Sequence, residues 1–417
     1  MTKIAVNKRK IINDPVYGFI SFPFQSNFAL IEHPLIQRLR RIRQLGLTNF
    51  VYPGANHTRF QHALGAGYLM SQAIQVIRSK GHDISEGEAE AAINAILLHD
   101  IGHGPFSHSL EHSIVEGINH EELSLLFMEQ LNEEFGGELD LAIQIFTNQY
   151  PKKFLHQLVA GQLDMDRMDY LKRDSYFTGV TEGVIGSDRI IKMLNVNDDE
   201  LVVDMKGIYS IEKFLIARRL MYWQVYLHKT VVSAENLLIM ILKRAKELSL
   251  EGEDLFATPA LKFFLENKLK REDFYPGKKN QILNLFANLD DTDIIASAKQ
   301  WVTHKDNLLS YLCKAFVNRK LFRVELKNQP FEDSRLEELK KKLPEITGFS
   351  EEESIYLIHT GELMNYAYSS MDEKIKIMRK DGLTLDITEA SDVFNLSALS
   401  RTVKKYFLTY PKELPGT

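Results

Sequence analysis

The stretch LLHDIGHGPFSH, residues 97–108, constrains this chain more than any other. It sets His99, Asp100, His103 and His108 among leucines, an isoleucine and a phenylalanine. A buried helix avoids a histidine beside an aspartate, because unpaired polar groups are costly there. A solvated loop has no use for Leu97, Leu98 and Ile101. The combination calls for a polar cluster inside an apolar scaffold, and metal coordination is one economical way to satisfy such a cluster.

The bulk of the chain supports such a scaffold. Its 417 residues are 44% hydrophobic and 26% charged, which allows a real core, gives room for two or three domains and argues against wholesale disorder. The formal net charge is -5, whereas a bulk nucleic-acid binder is more often basic, so nucleic acid is a less favoured partner. Cys313 is the single cysteine. It excludes an internal disulfide and a cysteine-rich zinc site and fits a reducing compartment. The start MTKIAVNKRKIINDPVYG has no long apolar segment of a secretory signal, and no uninterrupted apolar run reaches the length of a membrane span. A cytoplasmic protein without membrane contact is the expectation.

Helical patterns fill the first 250 residues. PLIQRLRRIRQLG reads as one helix from Pro34 to Gly46, with Leu35, Leu39 and Ile42 on one face and Arg38, Arg41 and Gln44 away from it. A helix carrying His62 ends at Gly81. Ser85 is a helix cap, with Glu86 and Glu88 as acidic first-turn residues, and that helix delivers His99 and Asp100 near its end. LVAGQLDMDRMDYLKRDSYFTGV reads as a further helix, and residues 210–248 as one or two long ones. NDPVYG is turn-like. Residues 262–288 and 293–319 stay helical, and the acidic NLDDTDIIAS at 288–297 reads as a solvated turn and helix start. Strands follow at 321–326, 375–378, 383–387 and 404–410, with Asp381-Gly382 as a tight turn. The expected fold is mainly α, a helical bundle with a smaller C-terminal α+β region. The expected divisions are 1–50, 51–260, 261–319 and 320–417.

Spacing suggests a metal site without completing it. Eight of the thirteen histidines fall between residues 57 and 120. His103 lies one turn after His99 on the same side, and His62 stands at the start of an earlier helix, preceded by Arg59. Asp164, Asp166, Asp169 and Asp174 are the available later acids, and spacing selects none of them. Two histidines and two carboxylates suit a divalent ion: Mg, Mn, Fe, Zn or Ni.

Taken together, NDPVYG, QRLRRIRQLG, YPGANHTRFQHALGAGYL, LLHDIGHGPFSH, NHEE, LDMDRMDYLKRD and YLHK keep family order over residues 10–229. On these motifs the chain resembles the HD-domain phosphohydrolases, in their deoxynucleoside triphosphate triphosphohydrolase branch. The resemblance implies an HD-domain helical bundle core. It implies His62, His99, Asp100 and Asp166 as metal ligands and His120 as the catalytic histidine. Glu111 stands where relatives carry an aspartate partner of that histidine, and His103 and His108 lie beside the reacting phosphate. Arg59 and Arg218 resemble triphosphate contacts, Gln44 and Leu45 the residues at the sugar edge, and Tyr170, Asp174 and Tyr226 other pocket residues. Arg167 stands where some relatives have lysine. Lys10, Asn13, Glu32, Gln37, Arg40, His228 and Lys229 resemble a regulatory nucleotide site, with Glu32 in place of an aspartate.

The implied activity is metal-dependent hydrolysis of a dNTP to deoxynucleoside and inorganic triphosphate. A dGTP or GTP activator and a homotetramer are the implied partners. Two rival classes stand beside it. One is an HD-type phosphodiesterase or nucleotidase acting on another phosphate ester, since fold alone selects no substrate. The other is a nonenzymatic nucleotide or nucleic-acid-binding protein, which the arginine-rich 38–43 segment permits.

Overall fold

The computed structural model describes residues 10–106, 115, 117–275, 279–365, 374–392 and 403–416. A short hairpin comes first: β1 (Ile12–Asp14) pairs antiparallel with β2 (Gly18–Ile20). The Asp14 carboxylate closes the turn between them, accepting from the backbone of Val16 at 2.9 Å and Tyr17 at 3.0 Å. Helices α1 (Gln25–Glu32) and α2 (Pro34–Gln37) follow.

Here the sequence expectation needs correction. The helix begun at Pro34 tightens into a 3₁₀ turn over Arg38–Arg41 and stops, and it does not reach Gly46. Beyond it the backbone finds partners across the chain in place of helical ones. Gln44 N–H donates to the His57 carbonyl and the Ile42 carbonyl accepts from Arg59 N–H, each at 3.0 Å. Arg38, expected on the outer side, is fully buried.

Helix α3 (Arg59–Ser79) opens at Thr58, whose N–H donates to the Gln61 side chain at 2.9 Å. Helix α4 (Glu86–Leu98) starts at the expected cap. Ser85 Oγ accepts from Glu88 N–H at 3.2 Å, and the Glu88 carboxylate accepts from Ser85 N–H at 2.7 Å. Tyr150 Oη and Lys152 Nζ hold the same carboxylate at 2.6 and 2.8 Å. Next come α5 (His120–Glu134) and α6 (Met165–Thr178). The segment around LDMD is two helices where one was expected. A helix over Lys153–Ala160 ends at Gly161, and α6 restarts at Asp164, whose side chain accepts from Arg167 N–H at 2.7 Å. Helix α7 (Ile208–Met221) runs into a π turn, Tyr222–Tyr226, before α8 (Lys229–Leu250). Asp290 caps α9 (Asp291–Trp301). Asp290 and Asp291 are buried, so this acidic segment is a helix start but not a solvated one.

The strands beyond β2 are β3 (Leu194–Asn197), β4 (Glu200–Asp204), β5 (Arg323–Lys327), β6 (His359–Asn365), β7 (Lys376–Met378), β8 (Thr384–Asp386) and β9 (Val403–Tyr410). The hairpin β3–β4 was not expected. The expected turn at Asp381-Gly382 joins β7 to β8, with Gly382 at φ +85. One sheet has the order β3-β4-β7-β8 and another β5-β9-β6. Because β7 pairs parallel with β4, strands from the expected 320–417 division complete a sheet begun in the expected 51–260 division. One apolar core runs from Ile20 to Leu414. Among the described residues no single helix is long and apolar enough to cross a membrane.

Two glycines of the HALGAGYL stretch set how closely α3 packs. A Cβ on Gly65 would lie 1.9 Å from Asp169 Oδ1 and 2.3 Å from Arg173 Nη2, both on α6. A Cβ on Gly67 would lie 2.9 Å from side-chain atoms of Leu97 and Phe22. Alanine in place of a helical glycine ordinarily adds up to about 1 kcal/mol. At Gly65 that gain is expected to be overturned by overpacking of about 1–3 kcal/mol. Chemical denaturation of Gly65→Ala should show a net loss, whereas Gly87→Ala, with open space at its Cβ, should be neutral or stabilised. Equal effects at the two sites would contradict this packing.

The cap of α4 carries a pH signature. Burial opposes the Glu88 charge, but hydrogen bonds from Lys152, Tyr150 and Ser85 outweigh it and bring its pKa down to about 2. The native state therefore prefers the ionised form more than the unfolded chain does. The resulting stabilisation is complete above the unfolded pKa, about 4.3, and is lost as the pH falls toward 2. Glu88→Gln should be less stable than wild type at pH 7, with the gap narrowing below pH 4. A gap that does not change with pH would refute the assignment.

Candidate active site and metal centre

Four elements meet at His62. The first turn of α3 supplies His62, the residue after α4 supplies His99, the turn that follows supplies Asp100, and the first turn of α6 supplies Asp166. His62 Nε2, His99 Nε2 and one carboxylate oxygen of Asp166 form a cluster whose donor atoms all lie within 4.8 Å of one another. Nε2 of His62 is 3.4 Å from Nε2 of His99 and 3.0 Å from Asp166 Oδ1. Asp100 stands at the edge of this cluster. Its Oδ2 is 3.7 Å from His62 Nε2 and its Oδ1 is 3.4 Å from His99 Nε2, while Arg59 forms an ion pair with it.

The far sides of both imidazoles decide their tautomers. His62 Nδ1 lies 2.8 Å from Asp169 Oδ2 and His99 Nδ1 lies 2.6 Å from the Ile96 carbonyl. Carboxylate and carbonyl oxygens only accept, so each Nδ1 carries the proton and each Nε2 presents a lone pair to the cluster in the neutral ring. This is the second-sphere arrangement that orients metal-binding histidines. The surroundings are also strongly anionic. Burial disfavours the charged ring of His62, yet the hydrogen bonds that ring donates to Asp166 and Asp169 prevail and raise its pKa to about 10, so a bound cation would take the place of the Nε2 proton. The histidines in turn hold the Asp166 carboxyl below its usual range, against the opposite pull of burial. Two imidazole nitrogens and carboxylate oxygens in such a field suit a divalent cation, and the donor set leaves its identity open.

Asp169 reaches further back. Arg173 forks onto it with Nε at 2.9 Å and Nη2 at 3.0 Å, and Arg173 Nη1 donates to Asp14 Oδ2 at 2.8 Å. His62, Asp169, Arg173 and Asp14 are all buried. Spacing offered Asp169 as one of several acids and overlooked Arg173 and Asp14. The local signal was the Asp169–Arg173 pair four residues apart on α6.

In front of the cluster lies a cavity of about 440 Å³, within the range of small-molecule sites. All eight expected substrate residues line it: Gln44, Leu45, Arg59, Arg167, Tyr170, Asp174, Arg218 and Tyr226. Asp100, Asp166, His103 and His120 line it as well. His103 and His120 stack with ring centroids 4.0 Å apart. Burial and then the nearby Arg59 charge hold His103 well below the usual imidazole pKa, so it is neutral at pH 7. His108 and Glu111 lie outside the described residues. Asp174 is fixed by His57 Nε2 at 2.7 Å and the Tyr226 hydroxyl at 2.8 Å. Gln44 Oε1, Arg167 Nε and Arg218 Nε are buried without a hydrogen-bond partner among the described residues, so the cavity wall holds acceptor and donor capacity for a polar ligand. Sequence reasoning missed His57, Tyr222 and Glu235, of which the last two line the cavity.

The expected regulatory residues fall into two groups. Lys10 pairs with Glu32, Arg40 donates to Gln37 at 2.7 Å and lies over the Phe60 ring at 3.7 Å, and Asn13 sits in β1 opposite Phe19. His228 caps α8, accepting from Thr230 N–H at 3.1 Å, and Lys229 begins that helix. Among the described residues no hydrogen bond or ion pair joins the two groups.

Comparison with known proteins agrees with this geometry. The HD domain matches residues 59–174 and the HD associated region matches 185–261. The uncharacterized protein YwfO of Bacillus subtilis is 32% identical over 98% of this chain and 94% of its own length. The chain belongs to the HD-domain phosphohydrolase superfamily. A crystal structure of a phosphohydrolase from Bacteroides thetaiotaomicron superposes with a TM-score of 0.93 at 55% identity, covering 97% of this chain and 100% of that one. The deoxynucleoside triphosphate triphosphohydrolase SAMHD1 homolog of Dictyostelium discoideum is 32% identical over 54% of this chain, which spans 47% of that protein.

The HD-domain geometry makes Asp169 a test of the metal centre. Asp169→Asn leaves an amide that no longer fixes the His62 tautomer. Mn²⁺ affinity, read by chelator competition, is expected to fall about 10–100-fold. Unchanged affinity would show that the His62–Asp169 bond has no part in metal binding.

Proposed function

We propose that this HD-domain protein hydrolyses deoxynucleoside triphosphates to deoxynucleoside and inorganic triphosphate. The observation that carries the reading is one cavity, lined by Asp166 of the His62–His99–Asp166 cluster, that also presents three arginines and, with them, Gln44, Asp174 and three tyrosines. A triphosphate needs the first set, and a nucleoside fits the second.

A divalent ion at His62, His99 and Asp166, with Asp100 beside them, supplies Lewis acidity toward a phosphoryl oxygen when bound. Arg59, Arg167 and Arg218 offset the triphosphate charge and hold it in place. Water adds through its oxygen to the α-phosphorus, losing a proton to solvent, as the bond from phosphorus to O5′ breaks. His120 donates a proton to the departing O5′, giving the free 5′-hydroxyl, with Glu111 as the acidic partner that the family resemblance implies. His103, neutral and stacked on His120, keeps that ring facing the phosphate and accepts a hydrogen bond from the substrate side. Asp174, held from two sides, accepts from a sugar hydroxyl. Gln44 and Leu45 crowd the sugar edge, which disfavours a ribose. Tyr170, Tyr222 and Tyr226 offer ring faces to the base.

We further infer activation by dGTP or GTP at Lys10, Asn13, Glu32, Gln37 and Arg40. An activator site that also uses His228 and Lys229 is completed by a second copy of the chain, in a homo-oligomer for which a tetramer is the favoured form. Glu32 accepts from the guanine edge in this reading.

Purified protein offered the four dNTPs singly and in pairs, with Mg, Mn, Fe or Zn, should release deoxynucleoside and intact inorganic triphosphate in equal amounts. dATP turnover should rise when dGTP is added. Release of phosphate or pyrophosphate would favour another HD-type phosphate-ester hydrolase. Salt-dependent oligonucleotide binding without turnover would favour a nucleic-acid-binding protein. His120→Ala should bind metal normally and lose about 10²–10⁴-fold in kcat; full turnover would remove His120 from the mechanism.

A further inference from the structure

The loop that carries Asp100 and His103 turns out of α4 through two tight turns, Ile101 N–H to the Leu98 carbonyl and His103 N–H to the Asp100 carbonyl, each at 3.1 Å. The loop is buried, and Phe106 holds a left-handed backbone at φ +53. Its remaining backbone groups need partners, because buried carbonyls and N–H groups left unpaired are costly.

Two charged side chains from outside the matched HD segments meet that need. Arg38 donates from Nη1 to the Ile101 carbonyl at 3.3 Å and from Nη2 to the His103 carbonyl at 2.8 Å. Its Nε donates to the Leu289 carbonyl at 3.0 Å, just before α9. Asp291, the first residue of α9, accepts Phe106 N–H on Oδ1 at 2.7 Å and Arg43 N–H on Oδ2 at 3.0 Å. Arg43 precedes Gln44, so one carboxylate ties the HD loop to the segment that forms another wall of the cavity.

A buried charge is an expensive way to hold a fold. Apolar replacements of similar volume are often as stable or more so. Burial outweighs the nearby Asp290 charge and brings Arg38 down to about 10, and burial outweighs the N–H groups of Phe106 and Arg43 and pushes Asp291 up to about 6. What these groups offer is geometry. A guanidinium presents a rigid fork of donors, and a carboxylate accepts on two oxygens, so each bridges two stretches of backbone at once.

We propose that Arg38 and Asp291 are positioning residues: together they clamp the 101–106 loop against α9 and the Arg43–Gln44 segment, so that Asp100 and His103 face the reacting phosphate. The proposal rests on the hydrolase reading for its effect on turnover, but not for its effect on the loop.

The test compares full-length wild type with Arg38→Lys, Arg38→Gln, Asp291→Asn and the Gln/Asn double variant. Backbone hydrogen exchange reads the loop and steady-state kinetics on dNTP read the chemistry. Exchange across 101–106 should quicken at least about tenfold in Arg38→Gln and Asp291→Asn, with α3 unchanged. kcat should fall about 10²-fold with KM within about threefold, since small displacements of a reacting group cost that much. Arg38→Lys should recover part of both, and the double variant should lose less than the product of the singles, because both act on one loop. The proposal is overturned if loop exchange is unchanged, if exchange quickens equally in α3, or if the loop loosens with kcat intact. Should wild type turn over no dNTP, the hydrolase reading fails, and the exchange comparison alone still decides the clamp.

Discussion

His62 is held from behind, and the rest of the site depends on that hold. Its Nδ1 proton goes to Asp169, Asp169 is gripped by Arg173, and Arg173 reaches Asp14 in the first hairpin. The chain of charges is buried throughout, so each member is satisfied by its neighbours or not at all. It exists because Gly65 lets α3 come within side-chain reach of α6. A single missing Cβ thus connects helix packing to the direction of an imidazole lone pair.

The same economy appears on the other side of the cluster. Gly102 packs against the start of α5, where a Cβ would lie 2.2 Å from the His120 carbonyl and 2.3 Å from Ser124 N. Ser124 Oγ accepts Gly102 N–H at 2.9 Å and donates to the His99 carbonyl at 2.7 Å. The helix that starts with His120 and the loop that carries His103 are therefore locked together, which accounts for the stacking of the two rings. Gly102, which looks permissive in HDIGHG, leaves no room for a side chain.

Local signals were legible in the sequence and long-range ones were not. The Ser85 cap, the Gly81 stop and the Asp381-Gly382 turn are decided within a few residues, and each was readable. The hairpin β3–β4 was not read: Asp198 and Asp199 both take positive φ, at 50° and 64°, in a two-residue turn between strands, but Asp-Asp lacks the glycine that signals such a turn. The apolar helices on either side masked it. Arg38 is different in kind. Its acceptors lie 63, 65 and 251 residues away, so nothing near it distinguishes it from the exposed Arg40 two positions on. The metal cluster shows both cases. His99 and Asp100 announce themselves as a pair, whereas the choice of Asp166 among four acids came from family resemblance and matches the donor that lies beside His62 and His99.

The metal centre stands or falls on what His62, His99 and Asp166 hold. Crystals grown with Mn²⁺ and measured at its absorption edge locate the ion independently of any reaction. An anomalous peak about 2.0–2.3 Å from Nε2 of both histidines and from an Asp166 oxygen is the result this account expects. A peak elsewhere, or side chains hydrogen-bonded to one another with no ion between them at saturating Mn²⁺, would contradict it.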